Sequence, residues 1–297
     1  MLLILNAIIP IAIVVVIGMA LVKWNFVSEQ FFSELSKVVF KVFVPVFLFV
    51  SVYRAGLQDV SLTLVAYFVP VIVMFVIYAL VFNHRIALTT TFSNGVLVGI
   101  PVIVAIAGDT GLSICLAVIS VHSLILFTTF YLFSSKVNVT PSIFKSTLNI
   151  FSNPVVVALL LGLAFKYLAV TIPQQLFTAL DMIASAALPL ALIILGSSLV
   201  QISGFNKSII SKTLLVSSSK LLILPLLVFA FSQYGLQLDT TQVFSLTVLA
   251  ACPTGISVMP FVDKVEPDRS VAHNTIALST LLSLLTIPTI IFLLQGY

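Results

Sequence analysis

Two proline-containing segments hold most of the residues in this chain that could do chemistry. Asn94-Gly95-Val96-Leu97-Val98-Gly99-Ile100-Pro101 and Ala250-Ala251-Cys252-Pro253-Thr254-Gly255 both lie inside long apolar runs. Proline in a helix removes a backbone hydrogen bond and clashes with the preceding turn, and neighbouring glycines ease unwinding. Backbone left unpaired at membrane depth is tolerated only where it is buried in protein or lines a wet cavity. Each break would present a half-helix N-terminus carrying about half a unit of positive partial charge. Two such ends with free N–H groups form an anion site without any charged side chain, to which the Asn94 amide and the Thr254 hydroxyl could add donors. The plainer alternative is a pair of ordinary kinks packed against neighbours. The pairing of the breaks, with Asn and Gly beside them, favours ligand contact by Asn94, Gly95, Gly99, Ile100 and Pro101, and by Cys252, Pro253, Thr254 and Gly255.

Ionisable residues inside a membrane are functional by default. His122 lies mid-run, where it could donate to a carboxylate or relay a proton, or sit neutral against a backbone carbonyl. Asn274 matches it 152 residues later. Lys220, in Ser217-Ser218-Ser219-Lys220, could attract anions or snorkel to the interface. His273 reads as interfacial, and Asp181 as a carboxylate favoured at a helix N-terminus. Asp109-Thr110-Gly111 is the triplet of aspartic proteases, but that chemistry needs a second carboxylate close by. None sits at matching depth, so the triplet reads as a turn. The sequence shows no metal cluster, phosphate loop or nucleophile–base pair, and no cofactor is expected.

The elements that position these residues follow from composition. Of 297 residues, 61% are hydrophobic and 7% charged, against about 25% charged in soluble domains. That excludes a soluble enzyme, a disordered protein and a nucleic-acid module. A spanning helix needs about 20 apolar residues, and ten segments qualify: 4–22, 35–53, 61–82, 86–107, 111–133, 150–169, 177–200, 209–231, 241–262 and 272–294. Met1–Val22 lacks the basic region and cleavage site of a secretory signal, so it is read as the first span. Cys115 and Cys252 both lie in apolar runs and predict no disulfide. With the N-terminus outside, eleven Lys and Arg fall on the cytoplasmic side. Only Arg54 and Lys166 fall outside. The positive-inside rule therefore selects ten helices with both termini outside, in a plasma or bacterial inner membrane.

The halves resemble each other. At an offset of 144, Pro10 matches Pro154, Gly18 matches Gly162 and Pro45 matches Pro189. At 152, Phe92 matches Phe244, Ser93 matches Ser245, Leu97 matches Leu249, Pro101 matches Pro253 and Leu126 matches Leu278. Five helices per copy is odd, so the second copy (149–297) enters from the face opposite the first (1–148). The expected fold is an all-α polytopic membrane protein, a five-plus-five inverted repeat with broken, crossing helices four and nine. Many secondary transporters are built this way.

The Asn94-to-Pro101 segment is similar to the fourth helix of the auxin efflux carrier family. Ala251-Cys252-Pro253-Thr254-Gly255-Ile256, Pro260-Phe261-Val262 and Ile287-Pro288 extend the likeness along the chain. The resemblance implies a fold related to the bile acid/sodium symporters and carriage of small organic anions. Bacterial members are described as malate or malonate permeases. It also implies transport helices three to five and eight to ten moving against scaffold helices one, two, six and seven, in an elevator-type cycle. The scaffold would form a homodimer. Asn94, Pro101 and Pro253 carry over as crossover residues. Sodium or proton coupling stays open, and a sensor or anion channel on the same fold is the alternative. Two departures set the chain apart from plant carriers: the loop between helices five and six is only Ser134–Leu148, and Cys252 replaces an aliphatic residue.

Overall fold

The computed structural model describes residues 2–55, 60–134, 154–200, 209–262 and 267–294. The predicted loop Ser134–Leu148 lies outside these residues apart from Ser134, as do Lys136, Lys145, Lys207 and Lys264. Among the described residues the chain is all helix. The elements are α1 (Leu2–Lys23), α2 (Glu29–Val38), α3 (Val44–Ala55), α4 (Val60–Val81), α5 (His84–Thr91), α6 (Ile100–Ser134) and α7 (Pro154–Tyr167). They continue as α8 (Gln174–Val200), α9 (Ile210–Ser218), α10 (Leu224–Ala230), α11 (Thr240–Ala251), α12 (Met259–Val262) and α13 (Asp268–Leu294). Six stretches are long and apolar enough to cross a membrane: Gln30–Arg54, Ser61–Val81, Gly95–Ser134, Gln174–Ser197, Ile210–Gly235 and Asp268–Leu294. Shorter apolar helices cover Ile9–Lys23, Val157–Tyr167 and Thr240–Ala251. The chain is thus a helical protein suited to the bilayer. Its apolar exterior, with Ile13, Leu80, Leu226 and Leu285 all exposed, is the surface that lipid would cover.

The sequence separates spans four and five at Gly108. The structure places the turn there within α6, where Gly108 adopts φ 58° and ψ −148°, a conformation essentially confined to glycine. Asp109 and Thr110 lie on the exposed side of this turn, so the protease-like triplet is a helix connection. The short predicted break Asn83–Arg85 is an N-cap: the Asn83 side-chain oxygen Oδ1 accepts from the Arg85 and Ile86 backbone amides, each at 3.0 Å. That arrangement satisfies two of the four N–H groups a helix start leaves unpaired. The Asn83 amide in turn donates to buried Asp268 at 3.1 Å, tying α5 to the start of α13.

Of four π-helical turns among the described residues, Phe231–Gly235 closes its span, and the other three, Val39–Phe43, Gly95–Gly99 and Ser219–Ile223, each lead into a further helix. In each, a proline is the second residue of the helix that follows, namely Pro45, Pro101 and Pro225. A proline nitrogen cannot bond the carbonyl four residues back and its ring crowds that carbonyl; a wider turn relieves both problems. Pro70, Pro189 and Pro288 lie inside helices without such a turn. Two of the wide turns carry Lys41 and Lys220.

Packing sorts the helices. α1 lies on α8, while α3 lies on α7 and α8. Gly18 and Gly196 let α1 and α8 touch backbone to backbone: a Cβ on Gly18 would strike the Ile193 carbonyl and one on Gly196 the Val15 carbonyl. Gly162 meets Phe49 in the same way, its Cβ falling 2.9 Å from the carbonyl oxygen. Elsewhere α4 packs on α5 and α6, α11 on α6 and α10, and α9 on α13.

Candidate functional site

The predicted span 86–107 is interrupted at Phe92–Asn94, between α5 and the wide turn Gly95–Gly99. The predicted span 241–262 is interrupted at Cys252–Gly255, between α11 and the short helical run Ile256–Val262. The two interruptions pair with each other. The Asn94 amide donates to the Pro253 carbonyl at 2.8 Å, and the Gly255 amide donates to the Phe92 carbonyl at 3.1 Å. Ser93 and Thr254 thus form an isolated antiparallel β-bridge. Extended backbone inside a bilayer needs partners of this kind, and each break supplies those of the other.

A cavity of about 300 Å³ lies against this pairing. Ser93, Asn94, Gly95 and Gly255 line it from the two breaks, with His122 and Ser123 from α6. Its aromatic lining comes from Phe40, Tyr67 and Phe92. Lys41, Pro154, Ile256 and Ser257 line it too, and all four are exposed, so they mark its mouth.

Other residues singled out in the sequence occupy different positions. Thr254 is fully buried, and its hydroxyl donates to the Thr89 carbonyl at 2.9 Å while its amide donates to Ser279 Oγ at 3.1 Å. It holds helices together and has no donor left for a ligand. Cys252 Sγ donates to the Val248 carbonyl at 3.4 Å. Gly99 packs against Leu249 and Cys252, and Ile100 is buried in the core. Asn274 is buried on α13 and does not line the cavity. Pro253 sits in its break, whereas Pro101 lies beyond its own, past the wide turn. The match between these two prolines at an offset of 152 therefore does not correspond to equivalent places. Only one break is followed by a long helix: Gly95 leads through the wide turn into α6, while Ile256 opens a run that reaches only Val262 among the described residues. Among the described residues the helix-end charge is greatest at Gly95 and Val96.

His122 lies at the cavity. It is 7% exposed and lines the cavity, with Nε2 lacking a partner. Its ring meets Phe92 edge-on at 4.7 Å. Sequence reasoning missed Ser93, Tyr67, Ser123 and Ser257, whose hydroxyls give no signal in an apolar run. It left Lys220 either attracting anions or snorkelling to the interface. The structure buries Lys220 completely, with Nζ 2.6 Å from Ser93 Oγ and 2.7 Å from the Ala250 carbonyl oxygen. The signal available was its depth, eleven residues into the predicted span 209–231.

The family profile described as membrane transport protein matches residues 3–291. The chain belongs to the auxin efflux carrier family. It is therefore a membrane transport protein of a family of carriers rather than enzymes. No curated protein matches the transporter's sequence.

Proposed function

We propose that this transporter moves small organic carboxylates across the membrane by alternating access, binding them in the cavity beneath the paired breaks. The observation that carries the reading is the reciprocal bonding of Asn94 to Pro253 and of Gly255 to Phe92 at the edge of that cavity. It places two interrupted spans back to back, the arrangement that secondary transporters use at the bilayer midplane. The first amides after Asn94 head a long helix and favour an anion. The Asn94 side chain and the unpaired His122 Nε2 provide neutral polar contacts, and Phe40, Tyr67 and Phe92 accept the apolar part of an organic acid.

Under this reading ten spans form a five-plus-five inverted repeat with crossing helices four and nine. Helices one, two, six and seven form a scaffold that dimerises, and the remaining helices carry the cavity across in an elevator-type step. The mutual packing of α1 with α8 and of α3 with α7 supports the scaffold grouping. The count of Lys and Arg supports both termini outside, in a plasma or bacterial inner membrane. Lys41 then places the cavity mouth on the cytoplasmic side. A monoanion leaving a cell with a negative interior gains about 2.3 kcal/mol per 100 mV, so export can run on the membrane potential alone.

Purified protein in liposomes tests the reading with labelled malonate, malate and indole-3-acetate. Saturable uptake of at least one acid, steepened by an imposed potential, is the expected result. Failure of all three to cross, with or without a potential, contradicts it. Conductance that does not saturate would instead mark a channel.

A further inference from the structure

A buried lysine, Lys220, lies behind the wall of the cavity. Lys220 is fully buried, and no carboxylate among the described residues lies within ion-pair distance of it. Its nearest groups are neutral. They are the Ser93 hydroxyl and the Ala250 carbonyl oxygen. A buried charge without a counter-charge is costly, so a chain that keeps one gains something from it.

Two features show what. The Ala250 carbonyl belongs to the last turn of α11, the negative end of a helix. Unwound carbonyls and helix C-termini of this kind hold coupling cations in transporters with broken helices. Here the lysine ammonium fills that place. The second feature is Ser93. Its oxygen accepts from Lys220 at 2.6 Å and from the Tyr67 hydroxyl at 3.0 Å. Both lone pairs are then occupied, which leaves the hydroxyl hydrogen for a group in the cavity that Ser93 lines. Donation from an ammonium also polarises that hydrogen.

We propose that Lys220 is the fixed counter-charge of the transported carboxylate, delivered through the Ser93 hydroxyl, and that it takes the place of a bound metal cation. The proposal rests on the carboxylate reading above and names the charge partner within that site. It makes carboxylate binding independent of sodium. The anion neutralises Lys220 when it binds, so the loaded carrier holds a compensated pair and the empty carrier an uncompensated charge.

Thermal unfolding of the purified protein against malonate, malate and indole-3-acetate, in sodium or choline buffer, tests it. The wild type is expected to be stabilised by at least one acid, with the same half-maximal concentration in both buffers. Lys220→Gln keeps donors to Ser93 and Ala250 but removes the charge, and should raise that concentration about tenfold or more, as loss of a charge-assisted bond does. A folded Lys220→Gln protein with the wild-type midpoint overturns the proposal, as does stabilisation of the wild type in sodium only. If Lys220→Gln does not fold, Ser93→Ala decides: it keeps the lysine and removes the relay, and a wild-type midpoint there overturns the proposal. A wild type that none of the acids stabilises overturns the carboxylate reading itself.

Discussion

Asn94 and Thr254 are polar residues at adjoining breaks, yet only one has a side chain left for a ligand. Thr254 has its hydroxyl committed to the Thr89 carbonyl and no contact with the cavity. Asn94 lines the cavity, and its side chain caps no backbone amide. The two should therefore separate in a mutational test. Asn94→Ala is expected to weaken carboxylate binding by about 1 kcal/mol, the worth of an ordinary hydrogen bond, and to leave the melting temperature unchanged. Thr254→Val is expected to lower stability by about 1 kcal/mol and leave affinity unchanged. Ligand titration and thermal unfolding of both variants check the pair. Equal affinity in Asn94→Ala and wild type would remove Asn94 from the site.

The elements owe their fit to small residues and prolines placed at contacts. The α1–α8 contact depends on Gly18 and Gly196, because each approaches the backbone of the other helix and backbone cannot yield as a flexible side chain can. Gly196→Ala is expected to force α1 and α8 apart and cost about 1–3 kcal/mol. A lower melting temperature in detergent, with the protein still helical by circular dichroism, is the outcome that fits. Wild-type stability would mean that this contact is looser than the backbone approach implies. The prolines act at the same scale. Pro45, Pro101 and Pro225 each follow a wide turn, and those turns carry Lys41, the Gly95–Gly99 stretch and Lys220 respectively. Part of the cavity lining therefore sits on irregular turns, while Tyr67, His122 and Ser123 line it from regular helix.

At the scale of the whole molecule, hydropathy made the apolar helices legible, because a bilayer demands long apolar runs. Both breaks were legible too, through Asn94, Gly95, Pro253 and Gly255. Their pairing register was not. Matching prolines at a fixed offset equated Pro101 with Pro253, whereas the bridge joins Ser93 to Thr254 and Pro101 shapes the wide turn beyond it. Side-chain destinations were least legible. An apolar run gives no sign that Tyr67 reaches Ser93 or that Lys220 lies under it, since both contacts join residues far apart in sequence. The account comes down to whether one cavity opens to both sides in turn. Ser123 lines it at partial exposure, and the two native cysteines are buried and free. Ser123→Cys, in a background with Cys115 and Cys252 replaced by alanine, can be probed in sealed vesicles with a membrane-impermeant thiol reagent. Labelling from each face, slowed by a transported carboxylate, is the predicted result. Labelling from one face only, unaffected by any carboxylate, would contradict alternating access.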